Sequence, residues 1–281
     1  MRRNLTGAAA LWALATILSG AVAQADTYAD IDFLLLAPRT PSTGFVNNWY
    51  DRGPLGEPEA EGAYSDNLQF ATRLTVGGED CSGFGGRVRW FQFDNDLGYD
   101  GLWNTGVATV QVAGTTNLDV DAIDFDVTQR GSFCCWNLLG SAGLRYGRAE
   151  LGNNNIPFNA IPAFIGGGAG FCFEGLGPTI ALEGRRPVCD TGFSLFAAGR
   201  TSLLWGDSDT YSPFRANNRN TIRDDTVQVW EIQMGVEYAM CIGQSQVETG
   251  VFWETQRWDS DSDALGDLDL MGLGIHAGLT Y

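Results

Sequence analysis

The stretch LDLMGLGIHAGLTY (268–281) decides how this 281-residue chain is read. Met271, Leu273, Ile275, Ala277, Leu279 and Tyr281 share one parity, while Gly272, Gly274, His276, Gly278 and Thr280 share the other. Side chains of a β-strand alternate between two faces, so this strand has one large apolar face and one small or polar face. A soluble barrel shows the reverse, because its inside must be packed. The pattern suits lipid outside and a lumen inside. The stretch closes on the aromatic Tyr281, so this last strand is expected to be the one presented to the outer-membrane assembly machinery.

Segment 226–240 repeats the pattern, with Trp230, Ile232, Met234, Val236 and Tyr238 alternating with Glu231, Gln233, Gly235 and Glu237. The span from Trp230 to Tyr238 covers roughly 19 Å of membrane normal in a strand tilted by ~45°. The two aromatics therefore fit the edges of a ~25 Å apolar band.

Charges test the facing independently. An Arg on the lipid face at mid-membrane costs about 2–4 kcal/mol, so mid-strand charges are expected to point inward. Arg73 lies opposite in parity to Leu68, Phe70, Leu74 and Val76, and Arg87 and Arg89 alternate with Val88 and Trp90. Arg145, Arg185 and Arg200 follow the same rule, as do Asp30, Asp32, Asp124, Asp126, Glu183, Glu231, Glu237, Glu248, Glu254 and His276. These sixteen residues are the predicted lumen lining. So many charges exceed what a dry core tolerates, which points to a wet lumen.

Such segments number ten, at roughly 28–37, 67–77, 84–94, 118–129, 137–149, 171–184, 192–206, 226–239, 245–258 and 268–281. Long connections at 38–66, 95–117, 150–170 and 207–225, with a moderate one at 259–267, alternate with short ones at 78–83, 130–136, 185–191 and 240–244. Short turns at one end and long loops at the other are the layout of an antiparallel transmembrane β-barrel. Ten strands are expected, with eight or twelve as neighbouring counts. Both termini then lie in the periplasm.

Composition agrees. The chain has 34 acidic residues against 17 basic ones, all Arg, for a net charge of −17. That balance excludes a nucleic-acid partner, which needs a basic surface. An apolar content of 44% excludes a disordered acidic tail. Arg2 and Arg3 followed by the apolar run 8–22 and small residues at 21–25 read as a signal peptide over 1–25. Residues 26–281 are then one barrel domain, with no wall-binding domain expected after the last strand.

The segments RVRWFQFDN (87–95), DFDVTQR (124–130), GLRYGRAE (143–150), FEGLGPTIALEGRR (173–186), SLFAAGRTSLLWG (194–206), QMGVEY (233–238), VFWETQRW (251–258) and DLDLMGLGIHAGLTY (267–281) resemble, in that order, the Legionella-type major outer-membrane porin family. The resemblance implies a pore-forming outer-membrane β-barrel, and it carries no catalytic residues.

Chemistry-bearing motifs are sparse. His276 is the only histidine, so a hydrolase would have to pair it with an inward Ser194 or Ser202, and neither lies in a GxSxG turn. No enzyme activity, cofactor or metal site is expected. Asp94, Asp96 and Asp100, and Asp259, Asp261, Asp263, Asp267 and Asp269, form two acidic clusters that lack the Gly and Glu positions of a calcium loop. Cys81, Cys134, Cys135, Cys189 and Cys241 fall at the short turns and Cys172 near the other end. Disulfides between neighbouring turns are allowed in an oxidising periplasm if the turns lean together, since hairpins sit ~10 Å apart and a bridge needs Cα atoms within ~7 Å.

Two functions follow for the barrel, which meets outer-membrane lipid in either case. One is a narrow pore, whose rows of opposite charge pass ions or small polar solutes. The other is a closed structural or surface-recognition barrel, plugged by pairing of the same charges, with acidic outer loops as its working surface. Ten strands lie near the plugged limit, since eight are filled by side chains and open porins use about 16–18.

Overall fold

A computed structural model describes residues 26–39, 60–64, 67–104, 109–155, 170–189, 191–211, 219–260 and 267–281. The signal-peptide segment and Asp261 and Asp263 lie outside the described residues. The strands are β1 (Asp26–Arg39), β2 (Ala60–Tyr64), β3 (Gln69–Glu79), β4 (Phe84–Asn104), β5 (Thr109–Phe133), β6 (Trp136–Asn155), β7 (Gly170–Pro187), β8 (Phe193–Tyr211), β9 (Arg219–Ile242), β10 (Ser245–Ser260) and β11 (Asp267–Thr280).

All but β2 form a closed, ten-stranded antiparallel barrel, in which each strand pairs with the next and β1 closes on β11. β2 pairs with the loop end of β4, beyond the point where β3 leaves it. Following ladder partners around the wall from Thr27 of β1 through Gly78, Gly86, Val127, Ala142, Ile180, Thr201, Trp230, Arg257 and Asp269 returns to Arg39, twelve residues further along β1. A stagger of that size over ten strands corresponds to a tilt of about 40° at ordinary strand spacings. Thr27 and Tyr281 exchange two backbone hydrogen bonds of 2.9 and 2.8 Å, so the ends of the described barrel are fastened together.

The ten expected segments are all strands, but several connections are not loops. Much of 95–117 and 207–225 continues the flanking hairpins, because the strands run well past the membrane band at the loop end. Asp94, Asp96 and Asp100 thus lie on β4, paired with β5, and not in a loop able to wrap an ion.

The outer wall is apolar. Phe33, Leu35, Phe125, Leu144, Ile180, Trp230, Ile232, Val251, Leu273 and Ile275 all stand exposed on it, far more contiguous apolar surface than water-facing proteins present. Outward charges flank this band: toward the loop end Asp121 precedes Ile123 on β5, Arg148 follows Tyr146 on β6, Arg257 follows Trp253 on β10 and Asp269 precedes Met271 on β11, and at the turn end Arg186 follows Leu182 on β7. Trp230 lies at the loop-end boundary, and the Tyr238 ring packs tilted against Phe193 near the turns, with centroids 4.9 Å apart. The wall therefore carries a band sized for a bilayer.

Candidate functional site

The inward face of the barrel has two layers. Along β1, Asp30 and Asp32 are followed toward the loops by Leu34 and Leu36. Arg87 and Arg89 of β4 give way to Phe91 and Phe93, and Arg145 of β6 to Ala149 and Leu151. The descending strands show the reverse order: Leu118, Val120 and Ala122 precede Asp124 and Asp126, and Val227 and Val229 precede Glu231 and Glu237. Most of the buried charge lies in the turn halves, with Glu254 at mid-barrel and Asp209 and Asp225 buried in the loop halves of β8 and β9. The loop half forms a cluster of fully buried apolar side chains that includes Leu204, Trp258, Leu268 and Leu270.

All sixteen predicted lumen residues sit on the inward parity, but they do not line open water. Arg73, Arg87, Arg89, Asp124, Asp126, Arg145, Arg200, Glu231, Glu237 and Glu254 are buried, with Arg145 and Glu254 at 0% exposure. Asp32 and His276 are nearly so, while Asp30, Glu183, Arg185 and Glu248 are half-buried toward the turns. The wet lumen inferred from the charges is thus corrected at this level to a dry, paired belt. The physical reason is that opposite charges interdigitate around the wall and do not segregate into facing rows, so each can be neutralised locally.

The pairing is specific. Arg145 holds Asp124 with two bonds, Nε to Oδ1 at 2.6 Å and Nη2 to Oδ2 at 2.9 Å, and contacts Glu231 at 2.7 Å. Arg89 bridges the same two acids, donating to Asp124 at 2.9 Å and forming a short pair with Glu231. Arg200 donates to both oxygens of Asp126, at 2.6 and 3.2 Å, and to Thr179 at 3.0 Å. Arg87 joins Asp126 at 2.9 Å, Ser141 at 3.1 Å and Glu183, and Arg185 joins Glu237 at 2.8 Å. A second chain links Arg73 to Glu254 and to Asp32 at 3.1 Å, and Asp32 to His276 Nδ1 at 2.7 Å. Gln233 and Gln256 donate to Glu254 at 2.9 and 2.6 Å. Forked guanidinium groups suit this bridging of several carboxylates.

Above the belt, Trp258 is the largest fully buried side chain. Its ring crosses from β10 to β6, where a Cβ on Gly147 would lie 3.1 Å from it and 2.7 Å from Leu204 Cδ1. The absent side chain of Gly147 makes room for the indole. Sequence reasoning missed this apolar layer, although it left a signal: FLLLAP (33–38) is apolar on both parities, as a wall between lipid and a packed interior requires.

The remaining candidates do not assemble. Ser202 donates to Thr179 at 2.9 Å and His276 is bound to Asp32, so neither is set to activate the other. Among the described residues no three His, Cys, Asp or Glu side chains converge to hold a metal. Among the described residues the six cysteines stand as free thiols, five of them exposed at the short turns and Cys172 half-buried.

Comparison with known proteins agrees with this architecture. The chain resembles the outer membrane protease OmpT of Escherichia coli in fold (TM-score 0.53, 12% identity, 91% of this chain and 96% of that one). The outer membrane protein OprG of Pseudomonas aeruginosa is a more distant match (TM-score 0.38, 9% identity, 90% and 96% coverage). At these identities the likeness to OmpT concerns the fold alone. No curated protein matches the sequence. The profile of the family described as Legionella pneumophila major outer membrane protein precursor matches residues 82–263. A ten-stranded barrel with an apolar outer band, matched by that profile over most of its length, belongs to the Legionella major outer membrane protein family.

Proposed function

We propose that this outer-membrane barrel is closed to free diffusion and acts through its loop-end surface, with its short turns and both termini in the periplasm. The observation that carries this reading is the stacking of two sealed layers, the 0%-exposed Arg145 and Glu254 beneath the fully buried Trp258. A pore for ions or small polar solutes would need both layers to part. Breaking several buried ion pairs at once costs about 3–5 kcal/mol for each uncompensated charge, which disfavours spontaneous opening. The partners are then outer-membrane lipid around the band, molecules that meet the loop end, and the assembly machinery at the exposed Tyr281 of the closing strand. Absence of an enzyme activity is supported by the commitment of His276 to Asp32 in the turn half of the interior.

Efflux from proteoliposomes loaded with a small radiolabelled sugar tests the reading. Retention equal to that of protein-free vesicles is expected. Rapid release in proportion to the amount of folded protein would establish the pore instead.

A further inference from the structure

In the turn half of the barrel, Arg186 of β7 is the only charged side chain at a lipid-facing strand position among the described residues. It is exposed and makes no hydrogen bond or ion pair among the described residues. That isolation stands out in a chain with 34 acidic residues and 17 arginines. Arg130 and Arg148, which also lie outside the buried belt, are held by Glu79 and Glu150. Trp136 of β6 shapes the wall beside Arg186. A Cβ on Gly184 would lie 3.2 Å from Trp136 Cε3 and 3.5 Å from its Cζ3, so the indole reaches across to β7 and covers Gly184. Gly184 is the neighbouring lipid-facing position of β7 on the membrane side of Arg186, and Leu138 borders it at 3.4 Å. Leu195, the ladder partner of Arg186 on β8, is an exposed apolar side chain. A guanidinium thus stands at the water edge of an apolar shelf that begins inside the band.

The chemistry selects the ligand. A guanidinium offers a planar fork of N–H donors that matches two oxygens of a phosphate. An indole at the membrane boundary suits the glycerol and ester region of a lipid, with an apolar ring and an N–H able to donate. A zwitterionic headgroup would also need an acid for its ammonium, and the lipid-facing strand positions of the turn half carry none among the described residues. The outward acids, such as Asp121 and Asp269, lie at the loop end. We propose that Arg186 and Trp136 form a binding site for an anionic phospholipid of the periplasmic leaflet. The phosphodiester sits on the Arg186 guanidinium, and the glycerol and first acyl carbons lie on the Trp136 indole. The leaflet rests on the proposed placement of the short turns in the periplasm, whereas the recognition chemistry is independent of it.

The folded full chain in maltoside micelles is titrated with dihexanoyl-phosphatidylglycerol or dihexanoyl-phosphatidylcholine, with inorganic phosphate as competitor, and bound lipid is counted by native mass spectrometry. Saturable retention of a single phosphatidylglycerol is expected, with phosphatidylcholine bound several-fold more weakly and inorganic phosphate unable to displace either. Arg186→Gln should weaken retention about tenfold. Trp136→Leu should weaken it several-fold, and Arg186→Gln carries the test should that variant fail to fold. Arg130→Gln, which removes an exposed arginine at the same end, should leave retention unchanged. Undiminished retention by Arg186→Gln, an equal loss in Arg130→Gln, equal binding of the two lipids, or displacement by inorganic phosphate would each overturn the proposal. Orientation is read separately, from labelling of the exposed Cys81 by a membrane-impermeant maleimide in intact cells. Labelling there would overturn the periplasmic leaflet together with the orientation, and would leave the micelle result standing.

Discussion

His276 and Asp32 are direct cross-strand partners on β11 and β1, and their side chains meet at 2.7 Å across the seam where the barrel closes. Asp32 also accepts from Arg73 at 3.1 Å, which in turn holds Glu254 of β10, so one chain of polar contacts ties four consecutive strands. Replacing His276 by Phe removes one member and leaves Asp32 with Arg73 alone. A loss of about 1–3 kcal/mol is expected, read from urea unfolding of lipid-refolded protein. An unchanged midpoint would mean that the seam is held by the backbone ladder alone.

Trp258 fills the interior above the charged belt, and Gly147 and Leu204 receive its ring. Trp258→Ala should cost about 3–5 kcal/mol through the cavity it leaves. Gly147→Val, which pushes two methyl groups into the indole, should cost about 1–3 kcal/mol. The same urea titration reads both, and tolerance of both changes would show that the loop half is not packed in this way.

The lipid-facing assignment gives a depth-dependent expectation. Ile275 is exposed within the apolar band and Gln228 is exposed at its loop-side edge. Ile275→Arg should destabilise the barrel by about 2–4 kcal/mol and Gln228→Arg by about 0–1 kcal/mol. Equal costs at the two sites would contradict the placement of the band.

Asp80 closes the turn between β3 and β4, where its Oδ1 accepts from Ser82 Oγ at 2.6 Å, Ser82 N at 2.8 Å and Phe84 N at 3.1 Å. These bonds, the Ser82 hydroxyl's first, hold the carboxyl below its ordinary value of 3.8. A folded-state value below the unfolded one makes the contribution complete above the unfolded value and lost as pH falls through the folded one. The stability difference between wild type and Asp80→Ala should therefore be constant near neutrality and shrink below about pH 4. A difference that grows in acid would reverse the sign.

The strand count and the facing were legible because both follow from period-two alternation, which residues such as Met271 and Ile275 display against Gly272 and His276. The inward placement of Arg73, Arg145 and Glu254 was legible for the same reason. What alternation does not carry is distance across the barrel. That Arg145 reaches both Asp124 and Glu231 depends on stagger and tilt, which no local pattern encodes. The strand extensions at the loop end were read as loops, yet there β4 and β5 continue as one long hairpin whose ladder tolerates Gly98, Gly101 and Gly114.

Closure of the interior is tested most directly by single-channel recording in planar bilayers with protein whose folding is verified by its unheated gel mobility. Wild-type protein should remain silent through repeated confirmed insertions at ordinary voltages. Reproducible stepwise conductance from the wild-type barrel would show that the Arg145 belt and the Trp258 layer leave an open path, and would contradict the closed state.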